Sequence, residues 1–299
     1  MKVIVLGSAA GGGSPQWNCR CAVCLLAWSG DSRVKRRAQA SLAVSADGES
    51  WCLLNCSPDI REQIGKVDAL HPRASLRGSP VSDVVLTNAD IDHIGGLLSL
   101  REGHRFTIHA TEATLNILKL NPVFDVLVAN KVARRQLAIG VKQQISKDLS
   151  IECFMVPGKL PLYLEGEAPA TNLKSGNTVG VALSSGGKSF YYIPGCAELD
   201  AEMRERISNS ALVFFDGTLW SDDEMIVSGT GGKTGRRMGH MPVGGADGSL
   251  AAFRELGVKR LVYTHMNNTN PMLIEGSDQY RAIVAAGAEA AYDGMEIAL

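Results

Sequence analysis

Two hairpin signals, each followed by a helical stretch, constrain this chain more than any other feature. Residues 40–46 and 50–54 flank Asp47-Gly48, a pair suited to a tight hairpin turn. Residues 58–70 then read as a helix, with Ser57 as N-cap and Pro58 at its first position. The second half repeats the scheme. Residues 179–184 and 188–193 surround Ser185-Gly186-Gly187, and residues 198–207 read as a helix. Further strands are predicted over 2–6, 84–87, 106–110, 149–156, 211–215 and 260–264. Helices are predicted over 111–120, 246–256 and 277–286, with a helix start at 94–100. Residues 290–297 read as a closing hairpin. Repeated sheet-then-helix halves predict two sheets covered by helices, a four-layer α/β fold. No stretch has the composition of a flexible linker, so one domain over 1–299 is expected.

Composition narrows the function classes. The 299 residues carry 30 Lys+Arg against 31 Asp+Glu, a formal charge of −1, which argues against a uniformly basic nucleic-acid binder. No interleaving of aromatic and basic residues marks a nucleic-acid surface either. No apolar run approaches the ~18–20 residues of a membrane span. Residues 1–6 are too short for a signal-peptide core. The expected setting is therefore the cytoplasm, with neither membrane nor nucleic acid as partner. Seven cysteines, an odd number, fit a reducing compartment better than a disulfide framework. Cys52, Cys56, Cys153 and Cys196 read as small buried hydrophobes.

Two glycine-rich stretches invite nucleotide-binding readings and fail them. The 7–13 loop has Ala9 at the middle glycine position, and Gly232-Lys233-Thr234 lacks the P-loop spacing. Residues 228–235 read instead as a lid-like loop. Arg236 and Arg237 behind it are candidates for binding substrate carboxylates, or else part of a solvated turn. Arg33, Lys35, Arg36 and Arg37 read as an exposed basic turn.

Polar residues gather just beyond strand ends, where α/β folds build sites. Residues 88–93 follow one strand, Asp216 a second and His265 a third. Asn88-Ala89-Asp90-Ile91-Asp92-His93 packs two carboxylates and an imidazole into six residues. That is either a metal-ligand loop or an Asp N-cap with a histidine nearby. Cys19, Cys21 and Cys24 form Cys-x-Cys-x-x-Cys. Three thiolates at this spacing can surround one tetrahedral ion, most simply a structural Zn²⁺ with a fourth ligand from elsewhere; an iron–sulfur cluster or a chance group of free thiols is the alternative.

Residues 87–96, from Thr87-Asn88 to Gly95-Gly96, resemble the metallo-β-lactamase superfamily motif His-x-His-x-Asp-His with its trailing glycines. Asn88 and Asp90 stand at the first two histidine positions, while Asp92 and His93 match. Other segments add to this motif: the 3–13 opening, the 18–24 cysteine loop, Gly239-His240-Met241-Pro242, residues 264–271 and Tyr292-Asp293-Gly294-Met295-Glu296-Ile297. Taken in order, they resemble the pyrroloquinoline quinone (PQQ) biosynthesis B family, PqqB, over essentially the whole chain.

The resemblance implies an αββα sandwich. It also implies loss of the two-metal hydrolytic centre, since Val156-Pro157-Gly158-Lys159 holds no histidine and Ile193-Pro194-Gly195-Cys196 no aspartate. Asp92, His93 and His265 match the ligands of the second metal, with Asp90 as a further ligand or an acceptor behind an imidazole. The superfamily places an acid or substrate-binding histidine near His240, whose plain reading is a loop histidine bonded to backbone. Asp216, at its strand end, is a second catalytic candidate, though such residues also make turn hydrogen bonds. Asn268 lies three residues after His265, where a related phosphodiesterase family carries a histidine. It is the expected fourth zinc ligand, with Asp31 or water as alternatives.

Two histidines and one carboxylate suit non-haem Fe²⁺ with open positions for O₂ and substrate, and they also suit Zn²⁺. The resemblance implies Fe²⁺- and O₂-dependent hydroxylation of the tyrosine ring in a Glu-Tyr-derived PQQ precursor. The expected partners are that precursor and O₂. Two alternatives stand beside this reading: a non-catalytic carrier of PQQ or its precursor, and a metallo-hydrolase.

Overall fold

A computed structural model describes residues 1–73, 75–166 and 171–299. Its first strand, Lys2–Gly7, shows why Val3-Ile4-Val5-Leu6 is apolar without alternation. Val3 and Val5 pack with Leu42, Val44, Ile151, Val181 and Tyr192 in the core between two sheets. Ile4 and Leu6 face the other way and pack with Leu53, Ile60, Leu97 and Leu118 beneath helical segments. A strand buried on both faces needs apolar residues on both.

Among the described residues, each sheet has seven strands. The first runs Glu296–Ala298, Lys2–Gly7, Ser41–Ser45, Trp51–Leu54, Val81–Val85, Phe106–Ala110, Val132–Gln136. The second runs Ala288–Ala290, Leu261–Thr264, Val213–Asp216, Lys188–Ile193, Val179–Ser185, Leu149–Met155, Lys142–Ser146. Both expected hairpins form, with Leu42 opposite Leu54 and Phe190 opposite Leu183. Helices cover the outer faces, so the αββα order holds. Among the described residues, no helix is long and apolar enough to cross a membrane.

Three helices carry a side-chain cap, although the expected 198–207 helix begins only at Ala201. Thr111, Asp200 and Ser277 each accept a hydrogen bond from a backbone N–H three residues on. Elsewhere the chain departs from expectation. The 58–70 helix is only Ile60–Gly65, followed by a 3₁₀ turn at Asp68–Leu70. Ser57 does not cap it; its hydroxyl donates to Gln63 Oε1, and Gln63 Nε2 reaches Gln39 O. Gly96 lets the Ser57 backbone approach so closely that a Cβ there would lie 2.0 Å from Ser57 O. The 94–100 helix start is a short helix, Ile91–Ile94, continued by a 3₁₀ stretch, Gly95–Leu100. The 246–256 helix shortens to Ser249–Phe253.

The closing hairpin does not exist. Ala288–Ala290 joins the second sheet and Glu296–Ala298 the first. Asp293 directs this crossing, binding the Ser8 hydroxyl at 3.0 Å and the Ala38 N–H at 2.6 Å. The basic turn is also not wholly exposed. Arg37 is buried, with its guanidinium on the Ala291 and Lys35 carbonyls.

Candidate active site

The chain delivers its polar groups from the carboxyl ends of strands in both sheets. Residues 87–93 follow Val81–Val85, Asp216 closes Val213–Asp216, and His265 follows Leu261–Thr264. Residues 265–270 are tied down by Met266 N–H to Ser8 O, Asn267 N–H to Thr218 O and Asn270 Nδ2 to Gly217 O. His265 itself adopts a left-handed conformation, φ +57°.

Asp92, His93 and His265 bring one donor atom each within 4.8 Å of one another. His93 is buried, and its Nδ1 donates to Asn88 Oδ1 at 2.6 Å. The Asp90 N–H donates to the same oxygen, which fixes the orientation of the Asn88 amide. His93 Nε2 is left as a buried nitrogen with no hydrogen-bond partner among the described residues. His265 Nε2 lies 2.9 Å from Asp92 Oδ2, while its Nδ1 contacts Thr218 Oγ1 at 2.9 Å. Two acceptor-capable atoms so close need a proton or a cation between them. An orphaned imidazole nitrogen beside that pair fits a metal ion of the type imidazole and carboxylate prefer.

The charges agree with this fit. Burial and the neighbouring His265 push His93 down to about 4, which keeps it neutral and able to ligate. Burial opposes ionisation of Asp92, but His93 and His265 outweigh it and hold the carboxyl well below its usual range. Burial also opposes protonation of His265, and Asp92 overcomes it, raising that imidazole.

Beneath these groups lies a hub. Asp216 is fully buried and accepts from Cys196 N–H, Thr218 N–H, Thr218 Oγ1 and His240 Nδ1, the last at 2.7 Å. These four contacts account for both its oxygens, so Asp216 orients His240. His240 stacks on His265 with ring centroids 5.3 Å apart. Its Nδ1 is committed to Asp216, which leaves Nε2 for chemistry. Asp90 falls outside the three-donor group, and its carboxylate faces the Lys159 ammonium at 3.6 Å. The two arginines part company: Arg236 pairs with Asp247, and Arg237 turns to Glu165.

Asp216, His240 and His265 meet the same 4.8 Å limit, and Cys19, Cys21 and Cys24 converge as a separate group within it. The Asn268 amide nitrogen sits 3.2, 3.7 and 3.3 Å from their sulfurs, at the position of a fourth ligand. A half-turn of that amide presents Oδ1 to the same point. Asp31 instead pairs with Arg33 at 2.8 Å. Burial pushes the Cys21 thiol up to about 12, so a bound cation would have to displace its proton.

Sequence reasoning missed two residues. Asn88 looked like a lost ligand, yet it holds His93. Thr218 links Asp216, His240 and His265, and nothing in Asp216-Gly217-Thr218 announces it. Its two histidine partners lie 22 and 47 positions away, so only the fold brings them together.

A family model for the β-lactamase superfamily domain matches residues 50–266. Coenzyme PQQ synthesis protein B of Methylobacterium nodulans is 49% identical over 100% of both chains. The crystal structure of Zn(2+)-bound PqqB from Methylobacterium extorquens is 48% identical, covers 100% of both chains and has a TM-score of 0.98. A diphosphatase of the PhnP family shares the fold, with a TM-score of 0.70 at 22% identity over 100% of this chain and 97% of its own.

Proposed function

The chain belongs to the coenzyme PQQ synthesis protein B family of the β-lactamase superfamily, and from that premise we propose that it is an Fe²⁺- and O₂-dependent hydroxylase of PQQ biosynthesis. Its substrate is the tyrosine ring of a Glu-Tyr-derived precursor, and an external reductant supplies two electrons for each oxygen atom inserted. The observation that carries this reading is the buried His93 Nε2 without a partner, beside the Asp92–His265 pair.

Asp92, His93 and His265 would hold the iron. That ion supplies activation of O₂ when bound, as a two-histidine, one-carboxylate site with open positions permits. Asn88 fixes the tautomer of His93, and Thr218 fixes His265. His240 Nε2 orients the phenol and takes its proton, while Asp216 stabilises the imidazolium that results. Lys159 places an ammonium beside Asp90, on the side where a hydrolytic relative would carry its other metal, the one whose motif histidines are missing here. This arrangement speaks against a two-metal hydrolase. Zn²⁺ in the cysteine group is structural in this reading, with Cys19, Cys21, Cys24 and Asn268 around it.

The test is anaerobic loading with Fe²⁺, addition of O₂ and a reductant, and mass spectrometry of a tyrosine-containing precursor. A gain of oxygen atoms that depends on iron is expected. Stoichiometric binding of the precursor without any change in its mass would replace the hydroxylase with a carrier.

A further inference from the structure

Lys159, Lys233 and Arg237 converge on one carboxylate, that of Glu165. Lys159 Nζ lies 3.4 Å from Oε1, while Lys233 Nζ and Arg237 Nη1 lie 3.5 and 3.3 Å from Oε2. The Glu165 side chain is only 6% exposed. It belongs to a segment that reaches the motif loop. Two residues earlier, the Tyr163 hydroxyl donates to Ala89 O at 2.8 Å, on the motif loop. On the other side, the Lys159 stem rests against Gly239, where a Cβ would lie 3.2 Å from Lys159 Cγ. Glu165 therefore sits in a cationic pocket between the 88–93 loop and the loop that carries His240.

The pocket holds more positive charge than Glu165 neutralises, even when Asp90 beside Lys159 is counted. Its grip is also loose. Tight charge-assisted hydrogen bonds run to about 2.7–2.9 Å, well short of the separations here. Glu165 Oε1, although buried, accepts no hydrogen bond among the described residues. Burial disfavours its ionisation, and the three cations, Lys159 foremost, outweigh burial and keep it a carboxylate. Lys233 and Arg237 are partly exposed, so an incoming anion can reach them from solvent.

We propose that Lys159, Lys233 and Arg237 form a carboxylate-recognition subsite, and that Glu165 fills it as an internal stand-in until a substrate carboxylate takes its place. The inference rests on the reading of Asp92, His93 and His265 as the reaction centre. It adds the part of the substrate that the chain grips: a polycarboxylate, with charge enough in the pocket for two carboxyl groups. Arg236, committed to Asp247, lies outside the subsite.

The probe is benzene-1,3,5-tricarboxylate, titrated calorimetrically into the full-length protein, metal-free and zinc-loaded, at constant ionic strength. Glu165→Gln removes the competitor and should tighten binding about tenfold. Lys233→Gln and Arg237→Gln should each weaken it about tenfold. The neutral triamide of the same ring should not bind. A Glu165→Gln protein that melts like the parent and binds the probe no tighter would overturn the proposal. So would methylenediphosphonate binding tighter than the tricarboxylate, which would make the pocket a phosphate site. If Glu165→Gln fails to fold, Lys233→Gln decides alone, because that lysine is half-exposed: unchanged affinity defeats the subsite. None of these measurements needs turnover, so a failed hydroxylation assay would count against the reaction and not against the pocket.

Discussion

The cysteine group and the Asp92–His93–His265 group hang on the same short loop, yet they are built in opposite ways. Residues 265–270 give His265 to one and Asn268 to the other. The cysteine group is local and closed: three sulfurs from six consecutive residues, with the Asn268 amide touching all three. The second group is non-local and open. Its Asp92 and His265 are 173 positions apart, and His93 Nε2 still lacks a partner among the described residues. Closure is what a structural ion needs, and an unfilled coordination face is what a reaction needs. Four substitution sets test whether that division is real.

The largest effect is expected at the open group. His93→Ala and His265→Ala should each abolish iron binding there and take product to background. Zinc content and the melting temperature of the zinc-loaded protein should change little. Metal analysis and product formation, measured together, decide it. Full iron occupancy with full hydroxylation in His265→Ala would mean that the ligand set is wrong.

Next come the groups behind the ligands. His240→Ala should keep iron but lose ~10²–10⁴ in rate, as for a general acid–base residue. Asn88→Ala should weaken iron binding by about 10–100-fold, because His93 loses the acceptor that fixes its tautomer. Asn88→Asp should recover much of that loss. If Asn88→Ala bound iron as well as the parent, packing alone would be positioning the His93 ring.

The same contrast explains what could be read from the sequence. The cysteine cluster was legible because its geometry is nearly its spacing. The two sheets were legible because hairpin turns and apolar strands are local signals, as at Asp47-Gly48 and in the 2–6 run. Edge strands were not. Val132–Gln136 and Lys142–Ser146 are mostly polar and, apart from Val132, not buried, so no apolar pattern marks them. The crossing at Asp293 was misread as a hairpin because turn residues are alike whether the flanking strands pair together or part to different sheets. Thr218 meets His240 and His265, and Glu165 meets Lys233 and Arg237, only because the fold brings them close, and their local sequence carries no sign of it.

The closed group should govern stability rather than turnover. Cys21→Ser should release zinc and lower the melting temperature by roughly 10 °C or more, because a structural ion contributes directly to folding. At temperatures well below that transition, iron binding at the other group should survive. Unchanged, tightly bound zinc in this variant would remove Cys21 from the site.

The smallest effect probes the shared loop itself. Glu224 is buried beneath it and accepts from the Thr269 hydroxyl at 2.5 Å and the Trp220 N–H at 2.7 Å. Burial pushes its carboxyl up to about 7, against the opposing pull of those hydrogen bonds. The folded chain therefore holds this proton where the unfolded chain, with an ordinary glutamate near 4.5, has released it. More protons bound in the folded state means that stability falls as pH rises. The contribution is full below about 4.5 and fades as pH climbs through about 7. Its size is on the order of 1–3 kcal/mol, or roughly 2–8 °C in melting temperature. Glu224→Gln stays neutral throughout and should lose that part of the decline between about pH 5.5 and pH 8. Melting curves of parent and variant at the two pH values give the difference. Identical slopes would show that Thr269 and Trp220 keep Glu224 ionised in the fold. The loop that joins the two groups would then be held by a buried charge and not by a buried acid.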